Sequence, residues 1–87
     1  MAAVLMYCTA ACPYCQAAER LLAEKGVADL TRVRVDLEPA RRAEMDNKSG
    51  RRTVPQIWIG ERHIGGCDDL YALDRKGGLD PLLKATS

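Results

Sequence analysis

No apolar run in this sequence approaches the roughly 18 residues that a membrane-spanning helix requires. Charge of one sign is also missing, since 13 Lys and Arg face 12 Asp and Glu for a formal net charge of +1. That balance offers no electrostatic foothold to nucleic acid or to an anionic membrane. Histidine occurs once, as His63, so a Ser-His-Asp set has little to be built from. His63 falls on an expected edge strand and reads as a surface residue. Internal repeats, linkers and low-complexity stretches are absent. Eighty-seven residues, 47% of them hydrophobic, suit one domain over 1–87 and leave no room for a second. The opening stretch from Met1 to Tyr7 is apolar but lacks the basic n-region and long h-region of an export signal. It reads as a first strand, and the expected location is the cytoplasm, where thiols stay reduced.

Against these absences stand four cysteines. In a reducing compartment they point to redox or metal chemistry and not to structural staples. Patterning then supplies the frame. Ala3 to Tyr7 suits a short buried strand. Pro13 opens a helix with Ala17, Ala18, Leu21 and Leu22 at helical spacing, closed by Lys25-Gly26. Thr31 to Asp36 alternates with period two, with Val33 and Val35 on one face. Pro39 opens a second helix reaching Ser49-Gly50, whose thin apolar stripe is Ala40, Ala43 and Met45. Gln56–Ile59 and Arg62–Ile64 flank Gly60-Glu61 as a hairpin, with Trp58 packing. A helix from Cys67 to Arg75 turns Leu70 and Leu73 inward, with Tyr71 also packing, and Gly77-Gly78 ends it. Leu79 to Lys84 forms a last helical piece, and Ala85 to Ser87 reads as a loose end.

The order is β-α-β-α-β-β-α. Two strands joined by a helix should be parallel, and the hairpin adds an antiparallel pair. The expected fold is α/β, a four-stranded mixed sheet with helices on both faces.

Cys12-Pro13-Tyr14-Cys15 lies between the first strand and the first helix. Cys12 falls at the N-cap, and Pro13 at N1 sacrifices no needed hydrogen bond. Backbone N–H groups of Tyr14 and Cys15 then point toward the Cys12 sulfur, and with the helix dipole they favour its thiolate. Cys15, one turn in, should be covered and remain a slower thiol. A metal site is the rival reading: Cys8, Cys12 and Cys15 have the spacing of a cluster motif, and Cys67 would make a fourth thiol for zinc or iron–sulfur. Yet that three-cysteine spacing belongs to radical enzymes that cleave S-adenosylmethionine, whose barrel this chain cannot supply, and zinc knuckles usually pair two CxxC units. No metal is expected.

With CPYC placed, nearly the whole chain resembles the glutaredoxins, and closely the small bacterial dithiol type. The likeness rests on Tyr7 before the motif, on Thr53-Val54-Pro55, and on Ile64-Gly65-Gly66-Cys67-Asp68-Asp69-Leu70. The resemblance implies a thioredoxin-like fold and a glutathione-dependent thiol–disulfide oxidoreductase, with Cys12 as nucleophile, Cys15 as resolving thiol and glutathione as co-substrate. It implies a cis Pro55 that lets Val54 pair with a bound thiol ligand. By the same resemblance Gly66, Cys67, Asp68 and Asp69 would hold the γ-glutamyl end of glutathione, and Tyr14 would flank the disulfide. Capping of the third helix is the plainer role for the two aspartates.

The family usually has Lys where this chain has Thr9 and Thr where it has Ala11, so the glycine end needs another cation. Arg42 is the expected substitute, with Arg41 or Arg52 behind it. Cys8 stands where Thr is usual and is expected to be inert. Implied partners are glutathione and glutathionylated or disulfide-bearing proteins, with ribonucleotide reductase typical of the family, and the chain is expected to be a monomer. Two alternatives stay open: an iron–sulfur carrier of the same fold, against which CPYC argues, and a thioredoxin-like reductant, against which the absence of CGPC and the presence of GGCDD argue.

Overall fold

In the computed structural model, which describes residues 2–84, the chain runs β1 Val4–Cys8, α1 Pro13–Glu24, β2 Leu30–Arg34 and α2 Pro39–Ser49. It continues with β3 Gln56–Ile59, β4 Arg62–Gly65, α3 Cys67–Arg75 and α4 Leu79–Lys84. The four strands form one sheet in the order β2-β1-β3-β4. β1 pairs in parallel with β2, as the helical crossover requires, and antiparallel with β3, which pairs antiparallel with β4. Among the described residues no helix is long and apolar enough to cross a membrane.

Alternation along the two central strands divides the core in two. Val4, Met6 and Cys8 of β1 and Ile57 and Ile59 of β3 face Cys15, Ala18, Leu21 and Leu22 of α1, with Leu70, Leu79 and Leu83 from α3 and α4. The residues between them, Tyr7 and Trp58, face the opposite side with Val33, Val35 and Met45. Their rings meet edge to face at 5.4 Å. Lys25, at the end of α1, ties the helical layer together through Asp74 at 2.8 Å and Asp80 at 3.1 Å.

Three expectations need correction. The second strand ends earlier than Asp36, because β1 ends at Cys8. Val35 still donates to the Cys8 carbonyl at 3.0 Å, after which Leu37 and Glu38 both turn back onto Arg34 O. On α2 the alanines are not the inner stripe: Ala40 and Ala43 are exposed, and Met45 is the buried residue of this helix. The inner face is instead charged. Glu44 accepts from the Tyr7 hydroxyl, and Lys48 Nζ lies 4.9 Å from the Trp58 ring centre. His63 is half-buried, not a surface residue, with its ring 4.5 Å from Trp58. Met1 and the expected loose end over 85–87 lie outside the described residues.

Candidate active site

Both cysteines of the CPYC motif are positioned by the start of α1. Cys12 is the N-cap, with φ −117° and ψ 105°, and its sulfur accepts the Cys15 N–H at 3.3 Å. That N–H is one of the orphan donors of a helix start, and here it is spent on sulfur. The Tyr14 N–H, also expected there, makes no such bond. The loop carrying Cys12 is tied to the turn after β2, because Ala10 N–H donates to Asp36 at 3.4 Å. Asp36 is itself gripped by two Arg34 bonds of 2.8 and 2.7 Å, which hold its carboxyl down at about 2.

All four cysteines are free and buried. Cys12 is more covered than a helix terminus suggested, at 8% exposure, and Cys15 is at 3%. Burial, then the hydrogen bond with Cys12, pushes the Cys15 thiol up to about 12, with the Thr9 backbone N–H offsetting part of it. Burial also raises Cys8, with Glu19 adding to it, and raises Cys67, with Asp68 and Cys12 adding to it. Desolvation thus keeps the three companions of Cys12 as thiols. Among the described residues, no three His, Cys, Asp or Glu side chains stand together as a metal site.

Beside Cys12 opens a groove of about 320 Å³, lined by Tyr14, Arg51, Thr53–Pro55 and Gly66–Asp69. Val54 O lies 4.0 Å from Cys12 Sγ, and the Val54–Pro55 bond is cis. Tyr14 stands 64% exposed at the rim. Eight of the residues singled out in the sequence therefore share one wall system, and Arg42 is the exception. Its guanidinium donates to Arg52 O at 2.6 Å and does not line the groove. The cation on the wall is Arg51, 2.8 Å from Asp69. The available signal was Gly50, whose left-handed φ of +71° closes α2 and turns the chain into the segment leading to Thr53.

The two aspartates divide their work. Asp69 accepts the Gly66 N–H at 2.9 Å, the return half of a capping box; Gly66 has no side chain to supply the other half. Asp68 is exposed and takes no part in that cap, and neither do the first-turn N–H groups of Cys67 and Asp68. Gly65 is obligatory beside them. Its φ is +117°, and a Cβ there would fall 2.3 Å from Asp69 Oδ2.

Arg51, then the Gly66 N–H, holds the Asp69 carboxyl below the usual carboxylate range. A lowered folded value contributes stability above the unfolded value of about 3.9, lost as pH falls through the folded one. The urea midpoint of Asp69→Asn should therefore lie below that of the parent chain at neutral pH and converge on it in acid. A gap that stays constant would mean Asp69 is not held in this way.

The Glutaredoxin family model matches residues 4–64, most of this chain. The chain belongs to the glutaredoxin family. It is similar to the glutaredoxin of Pseudomonas aeruginosa, 56% identical over 98% of this chain and 100% of that protein. It is similar also to glutaredoxin 3 of Escherichia coli, 57% identical over 97% of this chain and all of that protein. Among solved structures, the dithiolic glutaredoxin of Trypanosoma brucei brucei superposes with a TM-score of 0.85 at 40% identity, covering 95% of this chain and 88% of that one. A buckwheat glutaredoxin–glutathione complex superposes with a TM-score of 0.86 at 33% identity, over 94% and 76% of the two chains. The fold is thus the thioredoxin-like fold of glutaredoxins, and the chain is a glutathione-dependent thiol–disulfide oxidoreductase.

Proposed function

We propose that Cys12 is the nucleophile and Cys15 the resolving thiol, and that the adjoining groove seats glutathione as co-substrate. The observation that carries this reading is the Cys12 sulfur, bonded by the Cys15 N–H at 3.3 Å and lying 4.0 Å from the groove residue Val54. A thiolate at Cys12 attacks the glutathione sulfur of a mixed disulfide. The new Cys12–glutathione disulfide forms as the old bond breaks, and the protein thiol leaves. A second glutathione attacks that sulfur, releasing oxidised glutathione and restoring Cys12. In the dithiol route Cys15 resolves the adduct, and two glutathiones later reduce the Cys12–Cys15 disulfide.

Within the groove, the first-turn N–H groups of Cys67 and Asp68 suit the γ-glutamyl carboxylate and the Asp68 side chain suits the ammonium. Val54 pairs with the peptide, next to Thr53 and Pro55, and Tyr14 flanks the sulfur. Glutathionylated and disulfide-bearing proteins, including ribonucleotide reductase, are the substrate class of this reading. It takes residues 1–87 as one domain, monomeric and cytoplasmic, that needs no metal. The test is a coupled assay with a glutathione mixed disulfide, glutathione, glutathione reductase and NADPH; absence of turnover there would sink the reading.

Arg51 is the groove's cation for a ligand carboxylate. One charge-assisted contact at a partly exposed site is worth about 0.5–1.5 kcal/mol, or roughly two- to tenfold in affinity. Arg51→Ala should raise the KM for the mixed disulfide by that factor, and Arg42→Ala should leave it unmoved. Thr9→Lys, which restores the family cation, should lower it. An Arg42→Ala effect larger than that of Arg51→Ala would return the role to Arg42.

A further inference from the structure

Gln56 is the fully buried polar side chain of the core, at 0% exposure, and the exchange chemistry makes no use of it. An amide in that setting must satisfy its donors and its acceptor within the protein. Its Nε2 lies 3.1 Å from Thr53 O and 3.2 Å from Thr53 Oγ1, and its Oε1 lies 2.8 Å from His63 Nε2. The Thr53 carbonyl can only accept, which fixes the nitrogen of the amide toward Thr53. The amide oxygen then faces His63, so His63 Nε2 carries the hydrogen. Burial and Arg51 both disfavour the imidazolium, so His63 donates as a neutral ring. The ring is held in turn against Trp58 at 4.5 Å.

We infer that Gln56 and His63 are positioning residues that hold the Thr53–Val54 segment in register for the glutathione moiety. The His63–Gln56–Thr53 chain clamps both the carbonyl and the hydroxyl oxygen of Thr53, a residue of the groove wall. Because Thr53 Oγ1 accepts from Gln56, its own hydrogen remains to be donated elsewhere. The adjoining Val54 carbonyl lies 4.0 Å from Cys12 Sγ, so the segment's placement sets the distance from ligand to nucleophile. Without the clamp the ligand must order Thr53 and Val54 as it binds, and affinity falls. The inference rests on the reading of residues 53–55 as the glutathione-docking strand.

Gln56→Met keeps the volume in an apolar surrounding and removes all three bonds. His63→Phe keeps a ring on Trp58 and removes the donor, and His63→Gln supplies one again. Gln56→Met should raise the KM for a glutathione mixed disulfide by about three- to tenfold with kcat little changed, as expected for lost hydrogen bonds felt in binding. Alkylation of Cys12 by iodoacetamide, which needs no docking strand, should be unaffected. His63→Phe should raise KM less, and His63→Gln should recover it. If Gln56→Met proves unstable, the histidine pair carries the test by itself.

The docking reading is checked separately, by whether the Val54 amide resonance shifts when S-methylglutathione is added to the parent chain. A shifted amide with an unchanged KM in Gln56→Met and His63→Phe overturns the positioning role alone. A silent amide overturns the docking strand and the inference with it. A kcat loss matched by equal loss of alkylation shows general damage and also overturns the positioning role.

Discussion

Cys12→Ser should abolish thiol–disulfide exchange on every substrate, while Cys15→Ser should keep removing glutathione from mixed disulfides. The asymmetry follows from where the helix start places each sulfur. Cys12 sits at the N-cap and accepts the Cys15 N–H, whereas the Cys15 thiol is buried and pushed up to about 12. Loss of a covalent nucleophile costs on the order of a thousandfold or more, because no other group completes the bond. Cys8 and Cys67 are buried, and neither has the place at the start of α1 from which Cys12 accepts a helix N–H. Cys15 matters only when the adduct is resolved within the protein. An external glutathione can do the same attack, so Cys15→Ser should retain deglutathionylation within about an order of magnitude. The same variant should lose reduction of protein disulfides and accumulate trapped complexes. Mass spectrometry of Cys15→Ser with oxidised glutathione should show one adduct, on Cys12. An adduct on Cys8 or Cys67, or complete loss of deglutathionylation in Cys15→Ser, would overturn this assignment.

Leu70→Ala should lower folding stability by about 2–5 kcal/mol, the range for emptying a fully buried leucine site. Leu70 is at 0% exposure in the core cluster and directly follows Asp69 on α3. It holds the first turn of that helix, and with it the Gly66–Asp69 lip of the groove, onto the sheet. Total stability of a domain this size is about 5–15 kcal/mol, so the variant should be close to unfolding at moderate temperature. Leu37, 68% exposed, is the control. Leu37→Ala should change stability by less than about 0.5 kcal/mol. Urea denaturation of the three chains decides it. A Leu70→Ala loss no greater than that of Leu37→Ala would mean that α3 is not anchored by its apolar face.

The parts legible in the residues are those governed by short-range physics. Cys12 at the N-cap with Pro13 behind it and Gly50 closing α2 stand as expected, and the hairpin expected over 56–64 runs one residue further, to Gly65. Each depends on backbone angles and on hydrogen bonds that span a few positions, which local residue types control. The groove wall was readable for a different reason: Tyr14, Thr53–Pro55 and Gly66–Asp69 stand in motifs whose spacing carries a family pattern. Their convergence on one groove appears only when the sheet places β3 beside β1.

Rotation of α2 shows where that reading stops. Ala40 and Ala43 look like its inner face by hydropathy, yet Met45, Glu44 and Lys48 meet the sheet. A helix with so few apolar residues has its phase set by what lies beneath it, here the Tyr7 hydroxyl and the Trp58 ring. By itself the sequence determined the order of elements and the placement of the CPYC pair at a helix start, and it named eight of the nine residues that line the groove. Only the tertiary structure decided that Arg51 and not Arg42 faces the groove and pairs with Asp69, and that Gln56 joins His63 to Thr53. The Gln56–His63 and Arg51–Asp69 contacts join residues 7 and 18 positions apart, and no local rule fixes a side-chain direction that packing between segments determines.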